Sequence, residues 1–395
     1  MTFKQWVPIG LIYSLGILCS ISFGSMGPLA RDFGSAAHVS TQSAGATLGF
    51  MFLPMLGAAA IGWASDRIGT RPILLLGTAL LFVDDVANLK VDSLHWLMVD
   101  NFVQGLGIIS ILVGGQTALA QMTSGKTQAG VMALWATNPN VGQSLGLLLS
   151  GYLADKPIWR MCFVVEGIAA LCLIVAALIF IRPRTAAAAA AAHRGSFAEL
   201  LGESKVLRLC VAYALFAMLM VATTTAWPFY LSKIHNVPIG EIGRMAALAT
   251  PAGIAGSFAV GYLLSRSVIP RTIVLMYIAA ALVSTPFLYN AGTDLRLVTL
   301  AMILWQICVG AAYAFIFTML PRFIINKQNI GTATGVLNNI AALASLGGVP
   351  LFFGIAGLGH ASIIFIAFTV TSLVCCALVT PVWRLKGAVQ PQPIQ

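Results

Sequence analysis

Long apolar blocks alternate with short polar breaks along almost the whole chain. A helix needs about 20 mostly apolar residues to cross roughly 30 Å of hydrocarbon. Twelve blocks meet that length: 6–30, 41–64, 72–90, 95–119, 128–153, 159–182, 206–232, 240–264, 271–290, 295–320, 329–355 and 360–382. Spans 3 and 4 are the most interrupted, by Asp84, Asp85, Lys90, Asp92 and Asp100. The apolar residues come in runs, as in "LLSGYLADKPIW", and not at every second position. That pattern reads as helices, not as a transmembrane β-barrel. The first block follows Lys4 and lacks a small-residue cleavage site, so it reads as a retained first span and not a signal peptide.

Composition points the same way. Of the 395 residues, 9% are charged and 59% are hydrophobic, and the mean hydropathy is +0.92. A soluble domain is about 25% charged, and a large core does not remove the need for a polar shell. The formal net charge is +10. With the N-terminus placed inside, 15 of the 22 Lys and Arg residues fall on inner loops and tails. That asymmetry predicts that both termini are cytoplasmic and that the protein lies in a bacterial inner membrane, with the lipid bilayer as its surroundings. It also accounts for the charge, and no basic face interleaved with aromatics appears, so nucleic acid is not an expected partner. Cys19, Cys162, Cys172, Cys210, Cys308, Cys375 and Cys376 all fall in spans, with no CxxC pair. They read as small packing residues, with no metal site and no cofactor expected.

The longest segment between spans is "RPRTAAAAAAAHRGSFAELLGESK", Arg182 to Lys205. It divides the chain into an N-terminal six-helix bundle (1–183), a cytoplasmic linker (184–205) and a C-terminal six-helix bundle with a short tail (206–395). The halves share a trace of repeat. "GWASDRIGTR" follows span 2 and "GYLLSRSVIPR" follows span 8, with Gly62 and Arg67 recurring as Gly261 and Arg266. Two such halves suggest a transporter with its site between them.

"GWASDRIGTR" resembles the loop 2–3 signature of the major facilitator superfamily, G-x-x-x-D-R-x-G-R-R/K. Gly62, Asp66, Arg67, Gly69 and Arg71 match, and Thr70 departs from it. The resemblance implies an all-α membrane protein of twelve transmembrane helices in two pseudo-symmetric six-helix bundles. It also implies that Asp66 faces the N-terminus of span 11, near Asn329 to Gly331, as a latch in an alternating-access cycle. A helix N-terminus attracts negative charge. "FVQGLG" is similar to the family's R-x-x-Q-G motif through Gln104 and Gly105, with Asn101 in place of the arginine. "WRMCF" resembles the entry to span 6, with Trp159 and Arg160 at the outer interface. "NPNVGQ" keeps Pro139 and Gly142 of the antiporter motif and lacks two of its glycines, which leans towards export.

Charges inside a membrane are costly and usually functional. Asp84, Asp85, Asp100 and Glu166 lie in spans with no Lys or Arg at matching depth in the first half. Burial without a partner disfavours a charged carboxyl, so these four are the proton-coupling candidates. An alternative reading has spans 3 and 4 shifted, so that the acids lie near the outer interface. Candidates for the substrate cavity are Ser22, Ser25, Asn101, Gln104, Trp135, Asn138, Thr224, Trp227, Trp305, Gln306, Tyr313, Asn338 and Asn339. They are aromatic, amide and hydroxyl groups without a cation, which favours a neutral or cationic organic solute. His38, His95, His235 and His360 fall in outer loops or helix ends and are too far apart in sequence to suggest a metal site. "GQSLG" formally matches a hydrolase elbow, but it lies in an apolar helix and reads as small residues for close packing.

The expectation is a secondary active transporter, not an enzyme, working as a monomer on a small-molecule substrate with a proton as partner. Uptake, facilitated diffusion (metal ions included) and a non-transporting receptor or scaffold are the alternatives.

Overall fold

The computed structural model describes residues 3–181, 200 and 202–378, apart from 27, 41–42, 45–46, 155, 238–241, 243–244, 247, 267–269, 290–291, 358–362, 364–365, 368, 372–373 and 375–376. Most of the expected linker and of span 12, with His360, Cys375 and Cys376, lies outside the described residues.

The helices follow the apolar blocks. They are α1 (Phe3–Ser25), α2 (Ala30–Ala36), α3 (Ala58–Ile68), α4 (Thr70–Asn88), α5 (Leu94–Met122), α6 (Gly125–Trp135) and α7 (Asn138–Leu153). Then come α8 (Met161–Phe180), α9 (Ser204–Ile234), α10 (Ala252–Ser265), α11 (Pro270–Leu288), α12 (Leu295–Phe323) and α13 (Ile330–Gly357). Among the described residues, Trp6–Ser25, Leu48–Ile68, Leu94–Met122, Met161–Phe180 and Leu295–Phe323 are long and apolar enough to cross a membrane. α4 is not one of them, and it carries Asp84 and Asp85.

Two expected spans are broken. Span 2 starts as two 3₁₀ segments, Leu48–Phe52 and Pro54–Gly57, before α3 begins. Pro54 has no N–H to donate, and tight 3₁₀ turns leave carbonyls poorly paired. Span 5 divides into α6 and α7 at Ala136 and Thr137. Pro139 disfavours a helical conformation just before it, which explains where the break falls.

The expected loop between spans 2 and 3 is almost absent. Gly69 is both the C-cap of α3 and the N-cap of α4, with φ 91° and ψ 163°. Only glycine occupies that region readily. Gly69→Ala should therefore cost about 1–3 kcal/mol of stability. A drop in thermal midpoint of the detergent-solubilised protein would show it; an unchanged midpoint would mean the turn can rearrange without strain.

The helices group into two compact units. The first holds α1–α5, α7, α8 and residues 330–339 of α13; the second holds α6, α9–α12 and α13 from Ile340 onward. In lipid, helices associate through close packing and hydrogen bonds because the tails are as apolar as leucine. The contact of α1 with α7 shows this. A Cβ on Gly142 would overlap Ser20 and the Ile17 carbonyl, and one on Gly146 would overlap the Ile21 carbonyl. "GQSLG" is thus a packing motif. Trp159 is 8% exposed and stacks edge-on with Phe33 and Phe163 at 5.2 and 6.1 Å.

Candidate functional site

Asp66 lies one turn before Gly69 and is buried. Its Oδ1 accepts the Gly331 N–H at 2.8 Å. Its Oδ2 accepts the Thr332 N–H at 2.6 Å and the Thr332 hydroxyl at 2.8 Å. The N–H groups that open a helix have no partner inside it, and the helix dipole adds a favourable charge term. So Asp66 caps α13 from another helix.

Glycines permit that approach. A Cβ on Gly62 would overlap the Gly331 carbonyl, and one on Gly335 would overlap the Ala58 carbonyl. A Cβ on Gly331 would lie 2.5 Å from the Gly62 carbonyl oxygen and 2.6 Å from Asp66 Oδ1. Farther along, Asn339 donates to the carbonyls of Leu56 and Met55 in the 3₁₀ segment. The fastening thus runs from Gly331 to Asn339, about 12 Å of helix. Asn339 was a cavity candidate; here it satisfies broken backbone. Gly335 is the partner the sequence reading lacked, although "GTATG" carries the small-xxx-small spacing that pairs it with Gly331.

Two basic residues of the motif brace the turn. Arg71 donates through Nη2 to the Leu178 carbonyl in the last turn of α8 at 2.8 Å. Arg67 sits over the Trp63 ring at 4.1 Å. The second copy repeats this: Arg266 sits over Tyr262 at 5.2 Å. Gly261 packs on Ala133 of α6, as Gly62 packs on α13. The repeat thus includes an aromatic ring four residues before each arginine.

The acids gather in the first unit. Asp84, Asp85, Asp100 and Glu166 are 0%, 1%, 5% and 2% exposed. Glu166 is well provided with donors: Ser22 at 3.0 Å on Oε2, with Ser25 at 2.5 Å and Cys162 at 3.3 Å on Oε1. Asp84 Oδ1 accepts from Asn88 at 3.3 Å. Asp100 faces Asp84 and Asn88, and a bond between two carboxyls needs a proton on one of them. Asp85 accepts no hydrogen bond at either oxygen. It rests against α8, where a Cβ on Gly167 would lie 3.8 Å from its Oδ2. Among the described residues no Lys or Arg bonds to any of the four.

The four acids lie close to the ends of their helices. Asp84 is one turn from the end of α4 at Asn88, and Asp100 less than two turns from the start of α5 at Leu94. Asn88 and Cys162 were not singled out, yet each stands four residues from an acid, a spacing that shares a helix face.

Other cavity candidates are dispersed. Gln104 donates to the Ser22 carbonyl at 3.3 Å, beside the acids. Asn101 donates to Thr47 at 3.2 Å. Asn138 accepts from Ser20 at 3.1 Å, and Asn338 donates to the Thr334 carbonyl at 2.8 Å. Trp135, Trp305 and Gln306 are buried in the second unit, and Tyr313 is half-buried there. Thr224 and Trp227 lie on α9 with side chains outside the described residues.

Comparison with known proteins places this architecture. The sequence model of the Major Facilitator Superfamily matches residues 9–349. The chain is 23% identical over 381 residues to the 4-hydroxybenzoate transporter PcaK of Pseudomonas aeruginosa, spanning 84% of this chain and 81% of that protein. It is 23% identical over 325 residues to the multidrug transporter MdfA of Yersinia pestis, spanning 80% and 78%. The human organic anion transporter MFSD10 superposes with a TM-score of 0.76 at 17% identity, covering 96% of this chain and 100% of that one. The proton:xylose symporter XylE gives 0.75 at 12% identity, covering 96% of each. With a family match across most of its length and the helical fold to go with it, this chain belongs to the Major Facilitator Superfamily and is a membrane transporter, not an enzyme.

Proposed function

We propose that the chain is a proton-coupled secondary transporter of a small organic solute, cycling by alternating access. The observation that carries this is the buried acid patch. Glu166, with three donors, is the fixed negative charge. Asp85, with none, is the proton carrier, and Asp84 with Asp100 is a second pair that shares a proton. An acid held without donors is stable only when neutral, so its protonation state responds to any opening that admits water.

In this reading the two six-helix halves are residues 1–183 and 206–395, joined by the 184–205 linker, with both termini cytoplasmic. Asp66 and the glycines around it form a cytoplasmic latch whose engagement favours one side of the cycle. The names of the relatives divide on solute charge, since PcaK and MFSD10 are named for anions and MdfA for drugs. An acidic patch without a basic partner favours neutral or cationic solutes over anions. The partial "NPNVGQ" motif favours export.

Purified protein in liposomes tests the proposal. Solute should move against its gradient when a pH difference is imposed and stop when a protonophore removes it. Movement indifferent to pH would indicate a facilitator, and no movement of any solute would leave a receptor or scaffold.

A further inference from the structure

The second unit holds a cluster of rings that the transport reading above leaves unused. Tyr213 and Phe216 on α9 meet Tyr313 and Phe317 on α12. Ring centroids lie 6.1 Å apart for Tyr213–Tyr313, 5.6 Å for Phe216–Tyr313 and 5.5 Å for Tyr313–Phe317. Tyr213, Phe216 and Phe317 are buried, at 5%, 5% and 6% exposure. Tyr313 alone keeps part of its surface.

That surface points away from the exposed stripe of α12. At about 100° per residue, Tyr313 lies about 140° around the helix from Leu300 and about 160° from Leu297, the strongly exposed leucines of α12 at 61% and 48%. The ring therefore opens on the interior side of its helix. Its ring meets that of Tyr213 edge-on at 6.1 Å. Phe216 stands at 89° to it and Tyr213 at 63°, two walls of a corner. With Tyr213, Phe216 and Phe317 buried, the open face of Tyr313 is the one presented, and such a face attracts cations.

Basic residues stand apart from this corner. On α12 Arg322 is nine residues from Tyr313 and Arg296 is seventeen, about 13 and 25 Å along the axis. On α9 the exposed Arg208 lies about 140° around the helix from Tyr213. Among the described residues of α9 and α12, none places a basic group beside these rings.

We infer that Tyr213, Phe216, Tyr313 and Phe317 form a recognition surface for an organic cation with an apolar or aromatic body, with Tyr313 as the contacting ring. This rests on the chain being a solute transporter and names the class of its solute.

Equilibrium binding of radiolabelled tetraphenylphosphonium to the full chain in detergent tests it. Phenyltrimethylammonium should displace the probe at least tenfold better than its neutral isostere tert-butylbenzene, and benzoate should not displace it. Tyr313→Ala should weaken binding roughly tenfold, Tyr313→Phe less than about threefold, and Leu300→Ala not at all. If Tyr313→Ala does not fold, Phe317→Leu should still weaken binding about threefold. Absence of probe binding, better competition by benzoate, or wild-type affinity in Tyr313→Ala would overturn the inference. Binding in detergent needs no gradient, so pH-driven transport that persists beside such a failure would leave the transport reading standing.

Discussion

Gly331→Val should unfasten α13 from α3 and shift the transporter away from the latched state by about a hundredfold. The substituted Cβ would meet the Gly62 carbonyl and the Asp66 carboxylate at once, at 2.5 and 2.6 Å. Neither is the free end of a flexible chain, so the helices must separate. Overpacking of this kind costs about 1–3 kcal/mol. Separation also breaks the three hydrogen bonds to Asp66, each worth about 1 kcal/mol and more when the acceptor is charged. A net bias near 3 kcal/mol corresponds to about two powers of ten. Asp66→Asn, which keeps the volume but loses the charge and part of the acceptor capacity, should shift the equilibrium about tenfold.

Spin labels on exposed Ile68 and Ile325 would report the change as a redistribution of distances, after replacement of exposed Cys172. Distances that stay the same in wild type, Asp66→Asn and Gly331→Val would mean that the fastening exerts no bias on the cycle. A graded response in that order would tie the bias to the Asp66 hydrogen bonds and the glycine contact together.

Asp85→Asn should abolish proton-driven accumulation while leaving exchange intact. With one proton per neutral solute, a pH difference of about 2 supports a concentration ratio of about 100, since each pH unit is worth 1.36 kcal/mol. The amide has the same shape as the acid and cannot take up a proton, so the ratio should fall to about 1. Counterflow of labelled against unlabelled solute requires the conformational cycle but no net proton movement, and it should persist. The unpartnered oxygens of Asp85 mean that little else is lost with its proton-binding group. Glu166→Gln is the contrasting variant. It disturbs three donors, Ser22, Ser25 and Cys162, and should lower stability by about 1–3 kcal/mol. Full accumulation in Asp85→Asn would move the proton to the Asp84–Asp100 pair.

The helical class, most span boundaries and four acids within apolar segments were legible in the chain, because the bilayer imposes a length and an apolarity on each segment independently. α4, α5, α8, α9, α11, α12 and α13 each start and stop within a few residues of their apolar block. The motif "GWASDRIGTR" also marked Asp66, since the positive-φ turn at Gly69 and the acid before it are local features.

Partnership was decided only in three dimensions. The sequence contains Ser22 and Ser25 as two hydroxyls on one helix, suitable for a cavity; folding sets both on Glu166, more than 140 positions away. It contains four scattered acids; packing of α1, α4, α5 and α8 gathers them and leaves Asp85 without a donor. It contains Asn339 as a polar residue in an apolar helix, and only its neighbour, the broken start of span 2, shows what that amide is for. Local pattern reports what a residue costs to bury, whereas its hydrogen-bond partner comes from another helix, and the pairing of helices is set by close packing that no single span contains.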